Sequence, residues 1–556
     1  VRRPISEPAG IVHRRTCWFG YRPADKHGSG NIKIQGLKNT AWTTYNSIDD
    51  GNTISLTYSQ SNTVNKLDST QFAAFAPGTP GNANVYTWTG NVSQDYQVAN
   101  NWQPARNNVS NTDILQFNAG GAVSVTNVPS EVVAQIAFTN NTTVTFAPAY
   151  QNVYWYLEAD NDTNTYEMLI EAGSAWILNG DYFRVGFTNN HSKAKIEGLL
   201  ELRQRSYMDF TRSVTIVSPS GILSAGSAQI QTYANFKSSD TTLIIYGTYE
   251  HRYATLKGEI PLAAWKDGSN VVIKGYANPQ SGDMSPANIQ QSFYNFTYDC
   301  QAQTAIVRWN GFLPDSVRNV FRVLSTGSGQ WHWAGQSVAR NYIVNINKYI
   351  QTGGNVNLTS NVGSSQSPVI NITDSFAHLG GTVSASYEAT LDFIGTNGRQ
   401  DVICHNTSPG GRVLYKISNP AGINLIGSGN LLPNSDFTIN NYGGIIITHT
   451  AVPPINTNLK IAYLDNARLT YTGNAAVAGN VEFPAISAPP VLVIDLAHPD
   501  STLLMPFSRT VSTEIRLQNG HLDIGTYDLT LGQGTTSNLS GNLVNTSGNI
   551  LMTSGS

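Results

Sequence analysis

The sequence predicts an all-β protein, a right-handed parallel β-helix (β-solenoid) preceded by a small β-sandwich-like or irregular N-terminal module. Three observations support this fold class. Short runs of alternating apolar and polar residues, bounded by Gly, Asn, Ser or Pro, occur along the whole chain, whereas windows with a helical period are few. Apolar runs next to glycines recur at a nearly constant spacing. Only 12% of the 556 residues are charged, about half the share of an ordinary soluble domain.

Composition also narrows the classes of partner and location. Hydrophobic residues make up 40% of the chain, enough for a core, and 33 Lys and Arg nearly balance 36 Asp and Glu. Without a basic cluster we expect neither nucleic acid nor an anionic membrane as a partner. No run approaches 18 apolar residues, so we expect no membrane-spanning helix. Because the chain opens at Val1 without an apolar signal core, we expect a mature or excised segment, and the composition is typical of a secreted bacterial protein.

Residues 1–82 are expected to form a separate unit. Residues 1–30 are irregular and rich in arginine, and three strand-like runs follow near Ile32–Leu37, Thr53–Tyr58 and Gln71–Phe75. These runs suggest an immunoglobulin-like or fibronectin-like module, complete or partial, and the Pro and Gly residues of 76–81 indicate a linker. For residues 1–30 we weigh two interpretations, a segment that joins protomers and a tethered disordered tail.

Residues 83–556 are predicted to form the solenoid. Five glycines stand beside apolar runs at nearly equal intervals: Gly173, Gly198, Gly221, Gly247 and Gly275. Intervals of roughly 23 to 28 residues match one β-helix turn, whereas a propeller blade needs roughly 40 to 50 residues. We expect glycine at the corners because it adopts positive φ at little cost. Three double glycines extend the pattern: Gly353-Gly354, Gly380-Gly381 and Gly443-Gly444.

The late segment 513–531 shows the strand pattern clearly. Ile515 and Leu517 alternate with Glu514 and Arg516. A period of two places alternate side chains on opposite faces of a strand. We therefore expect the two apolar residues to point into the core.

Three segments resemble the large β-helical, adhesin-like surface proteins that Bacteroidota export by type IX secretion. The first is similar to the "W-x-G … N-W … D-x-x-x-F" opening of those passenger domains, with Tyr96 where a second Trp is frequent, and comprises Tyr86–Gly90, Asn101-Trp102 and Asp113–Phe117. The second is the double-glycine turn, and the third is Leu517–Gly532, similar to a turn found late in such passengers. The resemblance covers about residues 86–535 and implies β-helical architecture, export and a place at the cell surface. The sorting domain of that family is not evident before Ser556.

The expected function is therefore that of an extracellular structural or adhesive surface protein, acting as a homo-oligomer or as the repeating subunit of a surface filament. The alternatives are a glycan-binding module and a polysaccharide lyase or hydrolase on a β-helix. Because Asp and Glu are scattered and no acidic pair recurs in successive turns, we predict no catalytic residue and no enzymatic activity.

One motif suggests a metal ion. Asp160, Asp162 and Asn164 provide oxygen ligands at alternate positions, and Glu171 falls at the twelfth position, as in a calcium-binding loop. However, Thr165 stands where such a loop needs glycine, and a solvated turn rich in Asx residues is the alternative. Calcium is thus the one cofactor that the sequence suggests.

Two aromatic triplets suggest contact with sugars. They are Tyr154-Trp-Tyr156 and Trp331-His-Trp333, whose outer residues are Tyr154, Tyr156, Trp331 and Trp333. Exposed rings stack on sugars, so these four residues are candidates for glycan binding. Because each outer pair shares one face of a strand, packing in the core is the competing interpretation.

The remaining candidates concern modification and thiol chemistry. Four D-[ST]-x tripeptides resemble the O-glycosylation pattern of exported Bacteroidota proteins, with Ser69, Thr241, Ser316 and Ser501 as acceptors; plain turns are the alternative. Cys17, Cys300 and Cys404 form no CxxC pair. Solitary thiols are the favoured interpretation, and one bridge between any two of the three remains open.

Overall fold

The computed structural model describes most of the chain between residues 84 and 532. Its internal gaps are 159–165, 227–234, 280–281, 335–341, 360–367, 388, 405–412, 427–435, 440–443, 449–459, 465, 474–476 and 479–481. Outside that range it describes the backbone of strand segments within 33–75 and 536–552. Residues 1–30 and the predicted boundary at residue 82 lie outside the described residues.

Five described strands precede the solenoid, and their pairing is antiparallel. They are Lys33–Lys38, Ala41–Tyr45, Ser47–Asp49, Ile54–Leu56 and Ala73–Phe75. The first pairs with the second and the fifth, and the third pairs with the fourth. All three predicted runs coincide with strands of this group, and two further strands accompany them.

From residue 85 onward the chain forms a parallel β-solenoid of about 14 turns, which confirms the predicted fold class. Each early turn contributes one strand to each of three faces. The first face contains Val85–Trp88, Ile114–Phe117, Gln135–Phe138, Met168–Ile170, Ser192–Ile196, Ser213–Val217, Leu243–Ile245 and Ala264–Trp265. The short strand Trp102–Gln103 pairs antiparallel with Val85–Trp88 and covers that edge of the first face.

The second face is the longest sheet. Its strands are Gly121–Val128, Thr142–Pro148, Ala175–Asn179, Leu199–Arg203, Ile222–Ala225, Thr248–His251, Asn270–Ile273, Ser292–Asp299, Ser316–Ser325, Ile343–Gln351 and Val369–His378. The successive register partners in one run are Ala175, Leu199, Ile222, Thr248 and Asn270. This register confirms the turn length that the glycine spacing predicts. Each turn is hydrogen-bonded through its strands to the turn before and the turn after.

The second face divides at Val369–His378. The first half of this strand pairs with Ala389–Phe393, and its second half pairs with Gln400–Cys404. Irregular register in the preceding long strands bends them around a corner, as β-bulges do. One branch continues through Val413–Ile417, Asp436–Ile439 and Lys460–Tyr463. The other continues through Ile423–Ile426, Gly444–Thr448, Arg468–Gly473, Val491–Leu496, Glu514–Asn519 and Thr536–Leu539.

The third face is built from shorter sheets. Its first sheet contains Glu131–Val133, Tyr154–Leu157, Arg184–Phe187, Tyr207–Asp209 and Phe236–Lys237. A second sheet contains Ile306–Arg308, Gln330–His332, Asn355–Asn357 and Thr382–Ser384. Two three-stranded sheets complete the last turns, with Thr502–Leu504, His521–Asp523 and Asn542–Val544 in one and Arg509–Val511, Leu529–Leu531 and Ile550–Met552 in the other.

The core is a continuous column of apolar side chains between the faces. Rings of successive turns stack directly, as in Phe117, Phe138 and Trp176, whose neighbouring centroids are 5.3 and 4.9 Å apart. As predicted, Ile515 and Leu517 are buried, and Glu514 pairs with Arg516 at 2.7 Å on the outer side of their strand.

The glycines at the corners serve a different purpose from the predicted one. A Cβ atom on Gly198, Gly221 or Gly247 would lie 2.0 to 2.2 Å from a backbone oxygen of the preceding turn, and none of the three has positive φ. Close approach of successive turns, not a left-handed backbone, requires glycine here. Only Gly173 among the five predicted positions has positive φ, at +82°.

The fifth predicted glycine belongs to another series. Gly275 follows its second-face strand, whereas Gly198, Gly221 and Gly247 precede theirs, and its Cβ would lie 2.1 Å from the backbone of Arg252. In the first two double glycines, the second residue adopts positive φ, +75° at both Gly354 and Gly381.

The segment that resembles the passenger opening caps the first turn. Trp102 contacts Trp88 and Tyr96 edge to face, with centroids 5.0 and 5.3 Å apart, and packs on Phe117. The buried Asn101 side chain accepts hydrogen bonds from the backbone N–H groups of residues 92 and 93 and donates to the residue 95 carbonyl at 2.7 Å. These residues close the end of the apolar column in a compact loop.

Candidate functional site

The two aromatic triplets occupy equivalent strands of the third face but point in opposite directions. Tyr154 and Tyr156 are 38% and 37% exposed, and Trp155 between them is fully buried. Trp331 and Trp333 are fully buried instead. Trp331 stacks on Tyr298 with centroids 4.0 Å apart, so the second pair packs in the core and is not available to a sugar ring. The prediction of glycan stacking is wrong for these two tryptophans.

The exposed tyrosines belong to a larger surface feature, which we call the tyrosine strip: Tyr154, Tyr156, Arg184, Tyr207 and Asp209. The register of the third face aligns Tyr154 with Arg184 and Arg184 with Tyr207. Tyr156 lies beside them in a second column, aligned with Gly186 and then Asp209. Since neighbouring strands are about 4.8 Å apart, Tyr154 and Tyr207 are roughly 10 Å apart along the solenoid.

Two local contacts orient the rings of the strip. The Arg184 guanidinium lies 5.1 Å from the centroid of the Tyr154 ring and donates a hydrogen bond of 3.0 Å to its hydroxyl. The Tyr156 ring covers Gly186, because a Cβ atom there would lie 3.4 Å from the ring. Arg184 thus fixes one ring in place, and the missing side chain at Gly186 lets the other lie low over the next strand.

Charge on the strip is balanced. Arg184 stands in one column and Asp209 in the other, and Lys237 lies 3.5 Å from the Asp209 carboxylate. Burial raises the pKa of Tyr207, and the neighbouring carboxylate of Asp209 raises it further. Tyr207 therefore stays a neutral hydroxyl that can donate and accept hydrogen bonds.

At its N-terminal end the strip opens into a groove of about 490 Å³. The loop 109–111 forms one wall, the rings of Tyr154 and Tyr156 form the other, and Ser130 and Val132 lie between them. The Ser130 hydroxyl accepts a hydrogen bond of 3.0 Å from the Tyr154 backbone. The groove combines apolar surface with hydroxyl groups, as an uncharged sugar does.

Sequence reasoning identified Tyr154 and Tyr156 but missed Arg184, Asp209 and Tyr207. Their alignment depends on the intervals between third-face strands, and the interval from Tyr154 to Arg184 is longer than the interval from Arg184 to Tyr207. The predicted glycines stand next to second-face strands, so their spacing does not give the intervals between third-face strands. The alternation of Tyr207-Met-Asp209 around a buried Met208 was a usable signal.

Most of the predicted calcium site, Asp160, Asp162 and Asn164, lies outside the described residues. Glu171 is exposed, and its carboxylate accepts a hydrogen bond of 2.9 Å from the Asn140 backbone. Within the described part of the chain, no three His, Cys, Asp or Glu side chains are grouped so that they could share a metal ion.

The predicted glycosylation acceptors fall in different settings. Thr241 is exposed in a turn, and its hydroxyl lies 2.9 Å from that of Ser239. Ser316 and Ser501 are half-buried, and the Ser316 hydroxyl lies 2.5 Å from that of Ser292 on the neighbouring strand. Ser69 lies outside the described residues, and glycosylation stays a prediction at all four.

Of the three cysteines, Cys300 has a free, buried thiol. Burial raises the pKa of this thiol to about 12, so it stays protonated and unreactive in a neutral solution. This agrees with the solitary-thiol interpretation for Cys300 and leaves no bridge to it. Cys17 and the side chain of Cys404 lie outside the described residues.

Comparisons with family models, curated proteins and solved structures gave no match to this chain. The resemblance to type IX-exported surface proteins therefore stays a prediction. Among the described residues, no helix is long and apolar enough to cross a membrane.

Proposed function

We propose that this protein is an extracellular, adhesive β-solenoid that binds uncharged glycans through the tyrosine strip. One observation carries the proposal: three tyrosines point outward from two strands of a parallel sheet, on either side of the strand that carries Arg184. A folded protein tends to bury such rings, and Tyr154 and Tyr156 each keep more than a third of their surface in water. Rings with a polar tip suit a ligand that offers both C–H faces and hydroxyl groups.

The surroundings of the rings support a sugar over a protein partner. Arg184 and Asp209 provide hydrogen-bonding groups of both kinds within the strip, and their opposite charges suit a ligand without net charge. The strip is also narrow, two columns wide, and it runs along the solenoid across successive strands. Its roughly 10 Å spacing between Tyr154 and Tyr207 is close to the length of a disaccharide unit.

A binding experiment with a defined panel tests the proposal. The panel contains linear neutral polysaccharides (β-glucan, xylan and mannan) and acidic ones (polygalacturonate and alginate), with affinity measured by calorimetry and gel retardation. We expect binding to a neutral member. Tyr154→Ala or Tyr156→Ala should weaken it about fivefold to tenfold, since a lost ring contact costs about 1 kcal/mol.

Matched control variants distinguish the loss of ring stacking on the sugar from a general loss of exposed protein surface. Tyr156→Phe keeps the ring and should bind nearly as the parent does. Tyr246→Ala removes a tyrosine that is equally exposed, at 40%, but follows a first-face strand, and it should have no effect. Binding that is unchanged in Tyr154→Ala and Tyr156→Ala, or absent for every neutral glycan, would overturn the proposal. Release of shorter sugars during incubation would instead favour a lyase or hydrolase.

A further inference from the structure

The N-terminal end of the tyrosine strip is bordered by a loop whose two ends are anchored in the fold. Residues 104–113 connect Trp102–Gln103 to Ile114–Phe117 and lie beside Glu131–Val133, the first strand of the third face. Asn111 donates a hydrogen bond of 2.6 Å to the carboxylate of Glu158, which directly follows the strand Tyr154–Leu157. The loop thus reaches past the edge strand Glu131–Val133 to the next turn.

A buried ion cluster holds this loop in position. The Arg106 guanidinium contacts the carboxylates of Asp113, at 2.7 Å, and Glu131, and these side chains are 2%, 0% and 4% exposed. Arg106 also donates to the Tyr96 hydroxyl at 3.0 Å, and Asp113 accepts from the Ser110 backbone at 3.1 Å. Because removing one partner would leave buried charges unpaired, Arg106 and Asp113 fix the two ends of the loop, and the mostly exposed residues 107–112 between them form its wall.

The lining of the groove presents no unpaired charge. Glu131, its one ionisable carboxylate, is turned toward Arg106, and Glu158, which accepts a hydrogen bond from Asn111, lies outside the lining. The surfaces that remain for a ligand are those of Val109, Ser110, Val132 and the two tyrosine rings, together with the Ser130 hydroxyl, which accepts hydrogen bonds from Tyr150 and Tyr154 and can still donate one. An uncharged sugar residue fits such a lining. The cation at the edge of the groove, Arg184, already donates a hydrogen bond to the Tyr154 hydroxyl and shares the strip with the carboxylate of Asp209.

From this geometry we infer that the groove binds the terminal residue of an uncharged glycan chain, and that the following residues lie along the tyrosine strip. The wall prevents a chain from continuing beyond the first turn, so the site recognises a chain end and not an internal stretch. This inference rests on the proposed function and specifies which part of the glycan is bound.

Stoichiometry distinguishes the two modes of binding. The probes are short and long linear fractions of the neutral polysaccharide that binds best in the panel, titrated by calorimetry. Recognition of one chain end predicts one protein per chain at every length. Recognition of internal stretches predicts a number of bound proteins that rises with chain length, and that result would overturn the inference while leaving the proposed function intact.

Variants of the wall provide a second test. Val109→Gly combined with Asn111→Gly lowers the wall, so we expect several proteins to bind each long chain and the affinity for short chains to fall about tenfold. Asn108→Ala, an exposed position of the same loop outside the groove lining, is the matched control and should keep one protein per chain. Thermal unfolding of each variant verifies the fold. Unchanged stoichiometry and affinity in the double variant would contradict end recognition, and a parent protein that binds no neutral glycan would overturn both proposals.

Discussion

The triplets Tyr154-Trp-Tyr156 and Trp331-His-Trp333 have the same spacing and lie on strands of the same face, yet they point in opposite directions. In the first, the middle ring is buried and the outer rings are exposed; in the second, the outer rings are buried. Three alternating residues therefore establish which side chains share a face of the strand, but not which of the two faces is buried. The flanking residues decide that.

Around the first triplet, Val153 and Leu157 are apolar and extend the alternation through Trp155. These three residues form an inward row, so the tyrosines must face outward. Around the second, Gln330 precedes Trp331 and is exposed. Here the polar residues form the outer row, and the tryptophans turn inward.

The largest effect expected from this comparison is on the core of the second triplet. Trp331→Ala should lower the free energy of unfolding by about 3 to 5 kcal/mol, since it removes a large buried ring and leaves a cavity. Urea denaturation followed by circular dichroism measures the change. A loss below about 1 kcal/mol would mean that Trp331 does not support the column of rings.

A slightly smaller effect is expected where the flanking residues set the direction of the first triplet. Leu157→Ala should cost about 2 to 4 kcal/mol, because Leu157 is fully buried in the inward row. Gln330→Ala is the matched change beside the second triplet and should cost no more than about 1 kcal/mol, since Gln330 is exposed and loses only its hydrogen bond to the His332 ring. Equal costs in the two variants would refute the account of the flanking residues.

A fall in pH should destabilise the region around the second triplet more than the region around the first. Burial lowers the pKa of His251 to about 3 and that of His332 to about 4, and it also lowers the pKa of His378. Above pH 6.5 these histidines are neutral in both the folded and unfolded states. As the pH falls below 6.5 the unfolded chain binds protons that the folded protein excludes, so stability declines.

For His251, which is fully buried, the expected loss at pH 5 is about 2 kcal/mol. Hydrogen exchange measured at pH 7 and pH 5 locates this loss of stability. The backbone amides of residues 248–384 should lose protection before those of residues 114–217. His251→Gln removes one of the three titrating groups and should reduce this pH dependence, while His332 and His378 still destabilise residues 248–384 in acid. A pH dependence of stability that is unchanged in the variant would place the acid sensitivity elsewhere.

The smallest effect on stability is expected at the tyrosine strip. Tyr154→Ala should change the free energy of unfolding by no more than about 0.5 kcal/mol, because the ring is exposed and its contact with Arg184 lies at the surface. The same urea titration measures it beside Trp331→Ala. A cost of several kcal/mol would show that the strip supports the fold, and its loss of glycan binding would then have a structural explanation.

Much of the architecture was predictable from local patterns, because each solenoid turn depends on short alternating runs. The turn length followed from glycine spacing, although the reason for glycine at Gly198 and Gly221 did not. A side chain at these positions would clash with a backbone carbonyl of the preceding turn. This contact joins residues one whole turn apart in the chain, so it can be recognised only when the register of the strands is known. Arg184 and Tyr207 were not predicted for the same reason. They lie beside Tyr154 only because the strands of successive turns pair in this register.

The pairing of each turn with only its two neighbours determines how the solenoid responds to a pulling force. A pull on one end is carried by the strands of a single turn, which detach before the next turn bears the force. Each released turn of about 23 residues lets out roughly 80 Å of chain. A single-molecule extension trace should show a series of similar steps. The solenoid would then lengthen one turn at a time and dissipate work while the remaining turns stay folded.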